Sequence, residues 1–250
     1  MEDVASFRLR AREWLAAHMP PAEPGEAGWG LATDEEELRR VNRDRELQRR
    51  LFDGGLAGIC FPVEYGGLGL SPAHQRAFDE EAEGYQMPFF FQVPTLGVCA
   101  ATLLDFGSEE QKRRHIPAIL RGEELWMQFL SEPTAGSDVA SCLTTATRDG
   151  DEWVLDGSKV WTTGAWWADY ALCLARTDWD VPKHRGLTVF IVKIHQPGIH
   201  IHRIEMINGS REFCQEYISG VRLSDSARVG PVGQGWSVTT GWLHRERESV

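Results

Sequence analysis

Two short stretches carry residue types that could do chemistry. Residues 127–140 read MQFLSEPTAGSDVA and residues 157–164 read GSKVWTTG. In the first, a strand-like segment (125–130) runs into a small-residue turn. Ser131, Thr134, Gly136 and Ser137 are crowded there, and Pro133 fixes one φ angle. Gly136 lets a ligand approach the backbone closely. Successive exposed N–H groups in such a turn can form a nest for phosphate oxygens. In the second stretch Trp161 and Thr163 stand two residues apart, which in a strand puts both side chains on one face. An aromatic plate beside a hydroxyl suits a flat heteroaromatic ligand with polar edges. Either stretch by itself also fits an ordinary turn or a core tryptophan.

The elements that must position these stretches follow from periodicity. Residues 1–122 read as helical. Val4, Phe7, Ala11, Trp14 and Leu15 share a helical face, and Pro20-Pro21 stops that helix. Residues 22–32 form a Gly/Pro-containing connection. Thr33 with Glu36 makes a capping box for a second helix carrying Leu38, Val41, Leu51 and Phe52, which Gly54-Gly55 ends. Ser71-Pro72 opens the next helix as cap and first-turn proline. Residues 94–106 are mostly apolar and predict a buried helix, and Gly122 closes the helix after it.

After Gly122 the period shortens. Segments 125–130, 142–148, 153–155, 170–176, 187–194 and 199–204 alternate as strands. Asp149-Gly150 signals a hairpin, and Asp156-Gly157 a further turn. These strands predict a small antiparallel β barrel or sandwich. Gly233 and Gly235 mark the next boundary, and 236–250 opens another helix.

Composition narrows the function. The chain has 250 residues, with 42% hydrophobic and 25% charged, enough for a sizeable core in a soluble protein. The formal net charge of −11 argues against nucleic acid as a partner. Five scattered cysteines, with no CxxC pair, indicate reduced buried thiols. No run of about 18 apolar residues predicts a membrane span. The N-terminus, with Glu2 and Asp3, has no signal-peptide pattern, so a cytoplasmic location is expected. His200 and His202 sit at i,i+2 on one strand face without an evident third ligand, so no metal site is expected.

SEPTAGSDVA followed by GSKVWTTGA resembles the middle-domain signature of the acyl-CoA dehydrogenases, flavoenzymes that oxidise acyl-CoA thioesters. The resemblance extends upstream through FPVEYGGLGLSP (61–72) and downstream through VGQGWSVTTGWLHRER (232–247). It implies an α+β fold: an all-α N-terminal domain (1–122), a flavin-binding β domain (123–232), and the start of a C-terminal helical domain (233–250) whose remainder is missing, as in a fragment of a longer chain or, less in keeping with a helix cut at an apolar face, a truncated relative. It implies FAD as cofactor, an acyl-CoA as substrate and an electron-transfer flavoprotein as electron acceptor. A homo- or hetero-oligomer is expected.

By the same resemblance Ser131 would hydrogen-bond the isoalloxazine edge, with Leu130 offering its backbone N–H. Ser137 would reach the pyrophosphate, Trp161 would flank the flavin, and Thr163 would sit near N5 and O4. Common family forms have Thr at the Ser131 position, Gly at the Thr134 position, and Asn or Ser where Gly164 stands. The catalytic base of most members lies in the C-terminal domain. A minority place it on the helix beginning near Trp236, where Glu246 falls, beside Arg247 on the substrate side. On a helix Glu246 shares a face with Trp242 and Thr239, while Arg245 and Glu248 project elsewhere. The run Arg245-Glu246-Arg247-Glu248 also fits a solvated helix face. Three functions are compatible: the dehydrogenase, a non-catalytic flavin-binding subunit of a heteromeric assembly, and a flavin oxidase or monooxygenase on the same fold.

Overall fold

The structure is a computed structural model that describes residues 2–22 and 32–248. The expected connection at 22–32 falls almost wholly outside them. The described residues form two compact units. One takes those of 1–29, 33–92 and 109–124, and the other those of 30–32, 93–108 and 125–250.

The first unit is helical. Helix α1 (Val4–His18) buries Phe7, Ala11 and Leu15, and Asp3 accepts from the Ala5 and Ser6 N–H groups as its N-cap. Helix α2 (Asp34–Asp53) starts on the Thr33–Glu36 capping box and ends at Gly54. It buries Val41, Leu47 and Leu51, while Leu38 turns outward at 40% exposure. Helix α3 (Pro72–Ala82) begins with Ser71 as cap and proline in its first turn. A single turn, α4 (Phe89–Phe91), follows. Buried polar side chains fasten the unit: Gln48 Nε2 donates to Leu120 O (2.9 Å), and Asp44 Oδ2 accepts from the Phe90 N–H (2.9 Å).

The helix expected from Pro94 is a nine-residue π-helical stretch, Gln92–Ala100, continued by α5 (Ala101–Phe106). Pro94 has no N–H to give to an i→i+4 ladder, which accounts for a departure from α geometry there. The run Phe89–Phe106 is long and apolar enough to cross a membrane by length and composition, and 44% of it is buried inside the fold. Helix α6 (Glu109–Leu120) closes at Gly122, whose φ is +75°.

In the second unit eight strands form one sheet: β1 (Trp126–Phe129), β2 (Thr145–Asp149), β3 (Glu152–Thr163), β4 (Tyr170–Arg176), β5 (Leu187–Lys193), β6 (Ile199–Arg203), β7 (Phe213–Ser224) and β8 (Arg228–Val229). The path runs β6-β7-β3-β2-β4-β5-β8, with β1 also on β4. The helical-then-β order is as expected, but the sheet is open and mixed rather than a closed antiparallel barrel or a sandwich. Strands β1 and β2 both pair parallel with β4, at 170–173 and at Arg176. The segment 130–144 therefore leaves one part of the β4 edge and rejoins it further along. The core strands β4 and β5 are buried on both faces.

Asp149-Gly150 does lead into a hairpin, β2–β3. Asp156-Gly157 is not a turn. Strand β3 runs straight through it with a bulge between Leu155 and Gly157. Gly157 is needed there for space, since a Cβ would lie 2.7 Å from Thr144 Cα. Helix α7 (Gly235–Glu248) starts pressed on β5, where a Cβ at Gly235 would lie 2.6 Å from the Leu187 carbonyl carbon.

Gly157→Ala is expected to cost about 1–3 kcal/mol, because backbone as well as the Thr144 side chain must move. Gly150→Ala, at a turn with open space and φ of +62°, should cost about 1 kcal/mol. Urea unfolding of the two variants measures both. A Gly157→Ala variant within about 0.5 kcal/mol of wild type contradicts the close approach.

Candidate functional site

The turn after β1 is built from its backbone. Glu132 and Ala135 exchange N–H···O bonds (2.8 and 3.1 Å) around Pro133-Thr134. Thr134 has no positive φ, so glycine is not required at that position. The turn is joined to β3 by the Val160 N–H donating to Ser131 O (2.9 Å) and by Lys159 Nζ donating to Leu130 O (3.2 Å). Leu130, Ser131 and Trp161 are thereby brought together. Among the described residues the Leu130 and Ser131 N–H groups have no protein acceptor. A Cβ at Gly136 would meet nothing within 4 Å, so this chain's own packing does not call for glycine there. Ser137 lies on the exposed limb of the turn.

Trp161 carries the only positive φ of a non-glycine among the described residues, +68°. It is the extra residue of a bulge: Val160 pairs with Gln215 and Thr162 with Cys214, leaving Trp161 unpaired. Its side chain is 53% exposed, edge-on to Phe213 at 5.8 Å. Thr162 is buried between it and half-buried Thr163. A bulky residue held left-handed and exposed costs conformational energy that its own packing does not recover. Gly164 is explained locally: its φ is +67°, and any Cβ would enter the Trp167 ring.

The residues that hold this arrangement are not those singled out above. Glu132 and Lys159 form a buried ion pair at 2.9 Å, with side chains 3% and 0% exposed. Glu132 also accepts from the Leu143 N–H (2.6 Å), the Thr144 N–H (2.9 Å) and the Cys142 thiol (3.2 Å). Burial alone would push its carboxyl up, but Lys159 and these donors outweigh burial and hold it at about 2. Arg176, also buried, donates to Ala140 O (2.6 Å), Cys142 O (3.0 Å) and Lys183 O (3.1 Å), fixing the strand-ward limb of the turn. Lys183 in turn pairs with Asp138 at 2.7 Å. A signal for the ion pair was present: Lys159 continues the inward parity of Trp153 and Leu155, and an inward lysine needs a carboxylate.

Helix α7 presents the other candidates. Thr239 and Trp242 are fully buried and Glu246 is half-buried on the same face, while Arg245 and Arg247 are exposed. Arg245 pairs with Asp105 at 3.0 Å. Glu246 is near enough to Cys99 for its charge to raise that thiol, after burial has already done so. Trp242 Nε1 donates to Gln128 Oε1 (2.8 Å), which ties the helix to β1. The two histidines, His200 and His202, are exposed on β6.

Lys159→Met leaves Glu132 buried without its cation and is expected to cost about 3–5 kcal/mol. Adding Glu132→Gln should recover part of that loss. Because the Glu132 carboxyl is lowered on folding, its contribution is present above about 4.5 and disappears as pH falls through about 2. The wild-type chain should lose stability over that window and the double variant should lose less. Urea unfolding against pH reads both, and a single variant costing under about 1 kcal/mol contradicts the role of the pair.

With this geometry in place, the comparisons with known proteins are specific. Residues 1–123 match the family model described as acyl-CoA dehydrogenase, N-terminal domain, and residues 128–221 match the acyl-CoA dehydrogenase middle domain. Acyl-CoA dehydrogenase IpdE1 of Mycobacterium tuberculosis is 40% identical over 99% of this chain and 64% of its own length. Glutaryl-CoA dehydrogenase of Desulfococcus multivorans is 32% identical over 82% of this chain and 54% of its own. Among solved structures, the Tcur3481-Tcur3483 steroid ACAD G363A variant matches with a TM-score of 0.78 at 33% identity, covering 98% of this chain and 62% of that one. The ChsE4-ChsE5 complex from Mycobacterium tuberculosis matches at 0.74 and 31%, over 98% and 60%. The chain thus spans less than two thirds of the length of these relatives. On these matches, the chain belongs to the acyl-CoA dehydrogenase family.

Proposed function

We propose that this chain binds FAD on the 130–137 turn and the Trp161–Thr163 segment of β3, and that it takes part in α,β-dehydrogenation of an acyl-CoA thioester. The observation that supports this most is Trp161: an exposed aromatic plate, held in a disfavoured conformation, beside N–H groups that have no protein acceptor. The residues present fit the cofactor. Leu130 and Ser131 would offer backbone N–H groups to the isoalloxazine edge, and Ser131 its hydroxyl as well. Gly136 and Ser137 would meet the pyrophosphate. Trp161 would flank the ring and Thr163 would face its polar edge. When bound, the flavin supplies a hydride acceptor.

The protein's part is proton removal and positioning. Glu246 takes the α-proton as the β-hydrogen leaves as hydride, so a C–H bond breaks at each carbon and a C=C forms between them. Its place beside fully buried Trp242 and Thr239 keeps one side of the carboxylate dry. Arg247 lies on the substrate side of the same helix. Likeness to the steroid ACAD favours a steroid-derived acyl group, and likeness to two-component complexes favours a heteromeric assembly. Electrons would pass on to an electron-transfer flavoprotein.

Two measurements test this. Trp161→Gly removes the plate and suits the left-handed backbone, so thermal stability should hold or rise by about 1 kcal/mol while FAD affinity falls about tenfold. Unchanged FAD affinity in that variant overturns the cofactor site. Glu246→Gln in the holoprotein should slow flavin bleaching by a steroid acyl-CoA, cholyl-CoA, about a hundredfold or more with FAD retained. Near-normal bleaching removes Glu246 as base.

A further inference from the structure

Glu216 is a carboxyl group that the reading above does not use. It lies on β7, fully buried, directly opposite Lys159 in the β3–β7 ladder. Lys159 cannot serve as its counter-ion. The ammonium is committed to Glu132 at 2.9 Å, to Leu130 O at 3.2 Å and to the Cys142 sulfur at 3.6 Å. Glu216 Oε2 instead meets the Thr162 hydroxyl at 3.1 Å, and Oε1 has no partner.

The proton inventory around Thr162 decides which form of Glu216 the site accepts. The Thr162 hydroxyl touches two oxygens, Glu216 Oε2 and the Gln128 carbonyl at 3.3 Å, and it has a single proton. Gln128 O can only accept. If Thr162 donates to Gln128 O, its oxygen is left to accept from Glu216, which requires a carboxylic acid. As a carboxylate, Glu216 would claim the Thr162 proton, leave Gln128 O without it, and bury a charged Oε1 with nothing to meet it. The other titratable groups facing this position are Lys159 and Glu132, already paired, and the thiols of Cys173 on β4 and Cys214 on β7. Arg203 on β6 stands opposite Cys214 in the β6–β7 ladder and lowers that thiol against burial. Burial pushes the Glu216 carboxyl to about 8, against the weaker pull of the Thr162 contact, of its own backbone N–H and of the Lys159 charge.

Gln128 is the next link. Its side-chain Oε1 accepts from Trp242 Nε1 at 2.8 Å. We propose that Glu216, held as the neutral acid, is a positioning residue that acts through Thr162 and Gln128 to fix helix α7 against the strand carrying Trp161 and Thr163. This rests on the reading that β3 faces the flavin and that α7 carries the base. The relay then sets the relation between the two. Ionisation of Glu216 reverses the Thr162 hydrogen bond and loosens Gln128, and with it the Trp242 anchor.

The test follows the Trp242 indole N–H by ¹⁵N–¹H NMR of the full chain against pH, assigned by its loss in Trp242→Phe. In wild type the resonance should move with a midpoint near about 8. In Glu216→Gln, a neutral isostere, it should stay at the wild-type acid-form position throughout. In Glu216→Leu, which breaks the relay, it should be displaced at every pH. A wild-type resonance that ignores pH, or the same titration in Glu216→Gln, overturns the proposal. FAD affinity is measured on the same samples. A titrating Trp242 with no FAD binding keeps the relay and sinks the flavin reading, whereas FAD binding with a silent Trp242 sinks the relay and leaves the flavin reading standing.

Discussion

The candidate site depends on one buried ion pair. Glu132 and Lys159 come from the two stretches that carry the chemistry, and neither is solvated. Such a pair adds little stability over apolar packing, because desolvating both charges consumes most of the attraction. Its effect is geometric. Glu132 has a lysine and three further donors around it, and Lys159 reaches a second oxygen, the carbonyl of Leu130. Any shift of the turn along β3 would strand a charge in the interior. The turn, the 142–144 segment and β3 are therefore locked in one register, and residues 130, 131 and 161 inherit their places from it.

Against that lock, Trp161 is the point where local preference loses. A tryptophan in an unbroken strand would alternate into the sheet or out of it without strain. Here the bulge inserts it as an extra residue at φ +68°, and the ladder resumes at Thr162. The bulge carries Thr162 to the face of Lys159 and Glu216, three positions on from Lys159, while Trp161 stands out between Val160 and Thr162. Gly164, two residues on, absorbs the next turn of the chain with a second left-handed conformation that Trp167 leaves no room to replace. The departures from common family residues at Thr134 and Gly164 thus have local causes in this chain's backbone.

Much of the fold was legible because its signals are local. The caps at Thr33 and Ser71, the stop after α2 and the β2–β3 hairpin each depend on a few neighbouring residues, and each stands where the sequence puts it. What was not legible is long-range. The parallel placement of β1 beside β4 joins residues more than forty positions apart, and no periodicity encodes it. Asp156-Gly157 has turn chemistry, yet the pairing of β3 with β7 overrides it and keeps the glycine in the ladder opposite Ile218, beside a bulge whose extra residue lies on β7. Leu38 fits the helical stripe but lies on its exposed margin. In the site, the polar and aromatic residues named for ligand contact were visible by type. Glu132, Lys159, Arg176 and Glu216 were not, because their roles appear only when partners distant in sequence are brought within reach.

Strand β1 explains how so short an element can organise the unit. One edge pairs with β4, and the other has side chains where a neighbouring strand would be. Thr95 bonds both the N–H and the carbonyl of Trp126, and Thr162 contacts Gln128 O. Lys159 and the Val160 N–H then take the carbonyls of Leu130 and Ser131. Along this segment the contacts pass from the π-helical run to strand β3 and, through the Gln128 side chain, to helix α7. An exposed strand edge would invite pairing with another chain. Capping it with side chains removes that hazard and also ties the turn and α7 to one rigid reference, separated by only a few residues of extended backbone. Loops could not hold such a separation as closely, because their backbone angles are free to drift where a paired strand's are not.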